Sequence, residues 1–284
     1  MTPHTCRRQV QQFFFRVPVQ AFAMRAFVIV VLLLVATVYA DTDSNSLQDD
    51  ESKNSTSSPS KYRLPEELYR KAFSFMVHSK VFKNFTFQQA VDLVDSLDTW
   101  EASDEIQRNF PYYLSGYDFD DRPVWIAEAG KYNVRKWVER GGDDLQNLLK
   151  YMFQASIRIL KSFAAKDRPG REVREGVFFG DMDGFDMTQV THFPTVAFVL
   201  NEALTWREFI DLAMGRLIVV NANYPTQLAA SIARPIAGKL MERVELFGTN
   251  RAKWMAEIRR LLPEESIPTW YGGKSTFKPL EIYG

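Results

Sequence analysis

One short segment constrains the fold of this chain more than any other. The run from Leu217 to Val220 is apolar at every position and ends at Asn221. A strand without alternation of apolar and polar residues is expected where both faces of a sheet are covered, as in parallel sheets. Stretches with helical periodicity lie on both sides of this run, and parallel neighbours need such long connections. The segment therefore predicts an α/β fold with a mostly parallel sheet flanked by helices.

Periodicity and helix breakers divide the rest of the chain into a small N-terminal helical segment, residues 61–110, and a main α/β domain, residues 111–284. In the helical segment, one helix is predicted from Pro65 with Phe73, Val77 and Val81 inward, and a second after Thr86 with Ala90, Leu93, Val94 and Leu97 on one face. In the main domain, we predict strands at Arg122–Ala127, Gly176–Met182, Arg216–Asn221 and Val244–Phe247, and helices at Asp143–Ala165, Val190–Leu204, from Tyr224, and Thr249–Leu262. Pro194 is expected to bend its helix or to mark where that helix begins.

The first forty residues have the pattern of a secretory signal peptide. Met24 and Arg25 precede the apolar run Ala26–Ala36, and Val38-Tyr39-Ala40 offers small residues for cleavage. Met24 is an alternative start. A retained signal anchor is the competing interpretation, but the run is shorter than the roughly 20 residues that span a bilayer. We therefore expect a secreted protein whose mature chain begins near residue 41.

Residues 41–60 are polar and predict a disordered linker, because they offer too little apolar surface to offset the entropy of ordering. The single cysteine, Cys6, lies in the leader. Asn54 and Asn84 begin Asn-x-Ser/Thr sequons and are candidate glycosylation sites in a chain that enters the secretory pathway.

Composition and motifs disfavour nucleic-acid binding and catalysis. Lysine plus arginine and aspartate plus glutamate number 35 each, so no charge field favours nucleic acid. No Gly-x-Ser-x-Gly elbow or phosphate-binding loop occurs, and no metal or cofactor is expected. Asp181 and Asp183 could be read as ligands of a divalent cation. The alternative is that they end a strand and cap a turn to which Gly184 gives its permissive backbone.

Two groups of basic residues, around Lys136 and around Arg171, have a functional and a structural interpretation. Either group could contact anionic lipid headgroups, or both could be solvated faces balanced by nearby acids such as Glu139 and Glu172. The sequence alone leaves both interpretations open.

Five local motifs follow one another along the chain: Gly116–Trp125, Asp181–Gly184, the strand end at Asn221, Arg234-Pro235 in an apolar helix, and Tyr271–Gly273. In this order they resemble the CRAL-TRIO family of lipid-binding domains, which includes phosphatidylinositol-transfer proteins and tocopherol and retinaldehyde carriers. The resemblance extends from about Phe73 to Gly273. Most relatives are cytosolic, so a signal peptide departs from the family pattern.

The resemblance implies an apolar pocket over the sheet, closed by a mobile lid helix at about Tyr224–Glu242. The implied pocket and lid residues are Val124, Ile126, Phe178, Val219, Leu228, Ile232 and Ile236. Family members that bind phosphoinositides place a lysine before the lid proline and pair it with an acid. Here Arg234 takes the basic position, and Glu202 is the nearest acidic candidate for a headgroup site.

The expected function is thus non-enzymatic binding and transfer of a phospholipid or another hydrophobic molecule by a monomer that contacts membranes transiently. The ligand class stays open among phosphoinositide, tocopherol, retinoid, sterol and carotenoid. The alternative is a secreted protein-interaction module that has kept the fold but not the pocket.

Overall fold

The protein is described by a computed structural model that covers residues 62–284, except for the side chains at positions 232, 233 and 235–237. The predicted signal peptide, the linker and Asn54 lie outside the described residues. Within residues 62–284, no helix combines the length and the apolar character needed to cross a bilayer.

A single six-stranded sheet forms the centre of the described chain. Its strands are β1 (Tyr112–Tyr117), β2 (Pro123–Ala127), β3 (Gly176–Asp181), β4 (Met214–Val220), β5 (Val244–Leu246) and β6 (Glu281–Tyr283). The strand order is β5-β4-β3-β2-β1-β6. Strands β2 to β5 are parallel, whereas β1 pairs antiparallel with both β2 and β6. The predicted α/β class with a mostly parallel sheet is confirmed.

Helices cover both faces of this sheet. They are α1 (Glu66–Met76), α2 (Phe87–Asp98), α3 (Asp104–Asn109), α4 (Val134–Arg140), α5 (Gly142–Ala164), α6 (Met187–Thr191), α7 (Phe193–Thr205), α8 (Arg207–Ala213), α9 (Tyr224–Ala237) and α10 (Arg251–Leu261). Helices α4, α5, α7 and α9 pack against the face that carries Leu217 and Val219. Helix α10 packs through Trp254 and Ile258 against the opposite face, which carries Ile218 and Val220. The apolar run of β4 is therefore buried on both sides, as its sequence predicts.

The N-terminal helices α1 and α2 form an outer layer on the far side of α5. Thr86 caps α2 in a reciprocal arrangement with Gln89, and the predicted apolar face of α2 is buried. The prediction of which residues of α1 point inward is wrong. Helix α1 ends at Met76, its buried face centres on Tyr69 and Phe75, and Val77 is 41% exposed. The second apolar position along α1 therefore lies beyond the helix, at its C-cap.

Several elements differ from the sequence prediction. The segment beginning at Arg122 is the second strand and not the first, because β1 precedes it and pairs with it across the turn at residues 118–121. Helix α8 and strand β6 were not predicted at all. Pro194 lies in the first turn of α7 and marks its start, while the preceding residues form the separate helix α6.

Candidate functional site

An apolar cavity of about 240 Å³ lies between the sheet and the helices α5, α7 and α8. For comparison, an apolar cavity of about 150 Å³ accommodates benzene, and drug-sized ligands occupy pockets of about 300–1,000 Å³. The cavity therefore has room for a chain or a small ring system in the conformation described.

Large apolar and aromatic side chains form most of the cavity wall. Its lining residues are Phe110, Tyr112, Trp125, Ile126, Ala127, Ala129, Tyr132, Val134, Leu149, Tyr151, Met152, Phe153, Ala155, Ser156, Ile159, Phe178, Phe179, Glu202, Trp206, Phe209 and Ile210. Alternation along the strands explains the floor. Ala127 lies opposite Tyr112 in β1, and Trp125 lies beside Phe178 in β3, so these four residues share one face of the sheet.

Glu202 is the one ionisable carboxyl among the lining residues. It lies near the C-terminal end of α7, and one of its oxygens accepts a hydrogen bond of 3.2 Å from the indole N–H of Trp206. Burial raises the pKa of Glu202, because the apolar surroundings disfavour the charged form, although the bonds from Trp206 and Asn201 act in the opposite direction. The cavity thus holds a carboxyl group whose pKa lies above its ordinary value.

The residues predicted for the pocket floor lie in different places. Phe178 lines the cavity, and Ile126 borders it from β2 although its side chain belongs to the core on the opposite face. Val124 also belongs to that opposite core. Val219 lies on the cavity face of β4, yet it packs in the core and is not part of the lining. The period of two in β2 directs Trp125 and Ala127, and not Val124, to the cavity.

The predicted lid corresponds to α9 and the turn that follows it, Gly238–Arg243. Leu228 is half-buried on α9 and is not a lining residue of the cavity. The side chains of Ile232 and Ile236 lie outside the described residues. Arg234 is exposed, so the two headgroup candidates differ: Glu202 faces the cavity and Arg234 faces solvent.

Sequence reasoning missed the aromatic residues that shape the cavity, chiefly Tyr151, Trp206 and Phe209. Tyr151 lies on the helix face between Leu148 and Met152, two apolar positions of the 3.6-residue period within the predicted helix Asp143–Ala165. That spacing was the available signal. Trp206 is the N-cap of α8 and Phe209 lies within that helix. No element was predicted for this segment.

The Asp181 cluster has a structural explanation. Asp181 accepts hydrogen bonds from the backbone N–H of Asp183, the side chain of Asn221 and the hydroxyl of Tyr271, so both of its oxygens are engaged. Gly184 follows with a φ of 82°, in the region that glycine adopts most easily. Over residues 62–284, no cluster of three or more potential metal ligands occurs.

The two basic groups are matched by acids. Glu105 pairs with Lys136 and Arg140 at 3.0 Å each. Asp121 pairs with Arg168 at 3.0 Å and with Arg171 at 3.2 Å. These contacts fit solvated, charge-balanced faces.

A sheet covered by helices that enclose an apolar cavity defines a class of α/β proteins able to hold a hydrophobic ligand. This chain belongs to the CRAL/TRIO domain family, whose model matches residues 107–273. The resemblance seen in the sequence is confirmed. Members of this family bind lipids and hydrophobic small molecules, and they are generally transfer proteins and not enzymes.

Individual relatives are distant. A CRAL-TRIO domain-containing protein of Saccharomyces cerevisiae is 22% identical over 183 residues, which span 62% of this chain and 56% of the relative. The SEC14 cytosolic factor of Kluyveromyces lactis is 20% identical, over 64% of this chain and 59% of that protein. Protein real-time of Aedes aegypti is 24% identical, over 63% of this chain and 28% of that protein. The chain thus spans less than two thirds of the length of these curated relatives.

Among solved structures, the crystal structure of Sfh5 is similar to this chain. The similarity has a TM-score of 0.45 at 12% identity and covers 76% of this chain and 74% of that one.

Proposed function

We propose that this protein binds a phospholipid or another hydrophobic small molecule in the cavity beside α5 and transfers it between membranes. The apolar cavity of about 240 Å³ is the observation that carries the proposal. Burial of each methylene group stabilises a bound chain by about 0.8 kcal/mol. A cavity lined almost wholly by carbon replaces most of what a lipid tail loses on leaving a bilayer.

The size of the cavity supports a moving lid. A ligand larger than a single chain exceeds the cavity, so its entry requires a helix to move. We assign this role to α9, which begins after the cap residue Asn223 and ends at Gly238, where φ is 54°. Its described buried side chains, Thr226, Ala229 and Ala230, are small, so little steric interlocking opposes its displacement.

The headgroup site is proposed at Arg234 and Glu202. Arginine binds phosphate through two parallel hydrogen bonds, and Glu202 in its protonated form donates to a ligand oxygen. Because Arg234 is exposed, this site requires α9 to change position or the headgroup to stay at the surface. A neutral ligand such as a sterol, retinoid, carotenoid or tocopherol would use Glu202 alone.

Transient membrane contact is proposed at the N-terminal ends of three neighbouring helices. Met187, Phe193 and Tyr224 are the first residues of α6, α7 and α9, and all three expose large apolar surface. Helix α6 packs on both of the other helices. Apolar side chains at the start of the lid suit insertion between lipid headgroups.

Filling the cavity tests the binding proposal. Ala155 lines the cavity from α5, whereas Ala165 is exposed at the C-cap of the same helix. We expect Ala155→Phe to weaken the uptake of a fluorescent phospholipid about tenfold or more, because an inserted ring occupies the volume of the ligand. Ala165→Phe makes the same chemical change in solvent and should leave uptake unchanged. Equal uptake by both variants would argue for the interaction module that has lost its pocket.

We also propose that the chain enters the secretory pathway, on the basis of the signal-like residues 24–40. Asn84 supports this proposal because it is exposed in a turn before α2, where a glycosyltransferase can reach it. When the protein is expressed in eukaryotic cells, we expect it in the culture medium. Its mobility in a denaturing gel should increase after treatment with an N-glycosidase. Asn84→Gln should remove at least part of that shift, and protein retained in the cytosol without glycan would contradict the proposal.

A further inference from the structure

The polar groups that line the cavity can be accounted for one by one. Each of the following has a hydrogen-bond partner within the described chain: Tyr112, Trp125, Tyr132, Ser156, Glu202 and Trp206. Tyr151 is the exception. Its side chain lines the cavity with only 2% of the residue exposed, and among the described residues its hydroxyl has no hydrogen-bond partner.

A buried hydroxyl without a partner is costly, since it has lost its bonds to water and gained none. Buried polar groups in folded proteins are nearly always satisfied by protein, by ordered water or by a ligand. Here the cavity provides room for a ligand atom beside the Tyr151 hydroxyl. The position and the missing partner together mark a polar contact for whatever occupies the cavity.

The charges nearby decide which atom that contact favours. The guanidinium of Arg158, about two turns further along α5, donates to the hydroxyl of Tyr112 at 2.5 Å and lies 5.6 Å from the ring centre of Tyr151. Within the described chain Arg158 forms no ion pair with a carboxylate, and the ring of Tyr283 stacks on it at 3.8 Å. A positive charge at this position favours electron-rich oxygen over an amine or another cation.

Both tyrosines stay protonated at neutral pH. Burial raises the pKa of Tyr151 and of Tyr112, although Arg158 acts in the opposite direction on each. The Tyr112 hydroxyl accepts a hydrogen bond from Arg158. Tyr151 is thus a donor in an electropositive part of an otherwise apolar wall.

We infer that the Tyr151 hydroxyl donates a hydrogen bond to a carbonyl or carboxylate oxygen of the ligand. The neighbouring residues Tyr112 and Arg158 make this part of the cavity wall electropositive. The inference rests on the proposed function, because it needs a hydrophobic ligand in this cavity. It specifies the ligand class further: an apolar molecule that carries a hydrogen-bond acceptor oxygen. The oxygen belongs either to a free fatty-acid-like carboxylate or to the carbonyl of an ester.

Three probes with one fluorophore separate these cases. Diphenylhexatriene is a hydrocarbon, its propionic acid derivative carries a carboxylate, and the methyl ester of that derivative carries a neutral carbonyl. We expect Tyr151→Phe to weaken the binding of the acid and the ester about tenfold, and to leave the binding of the hydrocarbon unchanged. A larger loss for the acid than for the ester would identify the carboxylate as the preferred source of the oxygen.

Tyr113→Phe provides the matched control. The Tyr113 hydroxyl is also buried and has no partner in the described chain, but this residue faces Trp270 on the side of the sheet opposite the cavity. The control variant should bind all three probes like the wild type. In addition, apo Tyr151→Phe should melt at the same or a higher temperature than the wild type, because the variant loses an unsatisfied group and not a structural contact.

The outcomes distinguish the two proposals. If wild-type protein binds none of the probes, the proposed function fails and this inference fails with it. If the wild type binds them and Tyr151→Phe binds the acid and the ester equally well, the inference alone is overturned. A lowered melting temperature with equal losses for all three probes would show that Tyr151 is structural.

Discussion

At the scale of single residues, two of the polar side chains that line the cavity differ in their hydrogen bonding. Glu202 has a partner in Trp206 and a pKa raised by burial, whereas the Tyr151 hydroxyl has no partner in the described chain. In such surroundings the ionised form of a carboxyl group carries a high free-energy cost of burial, and the neutral form carries a much lower one. Burial therefore favours hydrogen bonding to a ligand over ion pairing for Glu202, and the Tyr151 hydroxyl is a neutral donor.

The raised pKa of Glu202 makes stability depend on pH. The folded protein keeps the Glu202 proton to a higher pH than the unfolded chain, whose glutamates titrate near about 4.3. The folded state then binds more protons, so this group lowers the free energy of unfolding as the pH rises above that value. Glu202→Gln removes the effect. We expect the variant to gain stability relative to the wild type between pH 4 and pH 8 in thermal melts, and a difference independent of pH would contradict this account.

At the scale of elements, the ends of α6, α7 and α9 are the candidate membrane surface, and two phenylalanines allow a matched test. Phe193 at the start of α7 is 46% exposed, and Phe119 in the β1–β2 turn is 69% exposed. We expect Phe193→Ser to reduce the partitioning onto phosphatidylcholine vesicles about fivefold, because about 1 kcal/mol of apolar burial is lost. Phe119→Ser should have little effect in the same sedimentation assay. An equal loss in both variants would indicate non-specific adsorption.

Individual helices and strands differ in how well local sequence patterns predict them. Thr86 and the apolar positions Ala90 to Leu97 predict α2 correctly, because capping and periodicity are local. Strand β6 could not be predicted in this way. It has three residues, Ile282 at its centre is 64% exposed, and its pairing with β1 comes from the distant segment at Tyr112–Leu114. The error over Val77 has a similar origin, since tertiary packing of Phe75 against Phe163 sets the phase of α1.

At the scale of the whole molecule, the class of fold follows from one buried strand and its helical neighbours, but the cavity does not. Val124, Ile126 and Val219 are apolar and centrally placed, yet all three pack in the core: Val124 and Ile126 on the face opposite the cavity, and Val219 on the cavity face without lining the cavity. A cavity exists where side chains fail to fill space, and its position depends on how large residues on different elements meet. Phe153 of α5 stacks on Trp206 with ring centres 4.7 Å apart, a contact between segments that are separate in sequence.

The packing around the cavity fits the proposed transfer role, in which the protein must open without unfolding. The outer helices α1 and α2 pack on α5, and α10 with the closing turns covers the other face of the sheet, so the framework around the cavity is packed from both sides. The proposed lid α9 connects β4 to β5 near the edge of the sheet and carries only small buried side chains among those described. Motion of the proposed lid would therefore not require the core to unfold.

The most direct test of the central claim is native mass spectrometry of the protein purified from eukaryotic cells, followed by extraction and identification of bound lipid. We predict a complex heavier than the polypeptide by the mass of a defined hydrophobic molecule, and loss of that species in Ala155→Phe but not in Ala165→Phe. A bare polypeptide mass that persists after incubation with phospholipid, fatty acid and retinoid would contradict a lipid-binding role for this cavity.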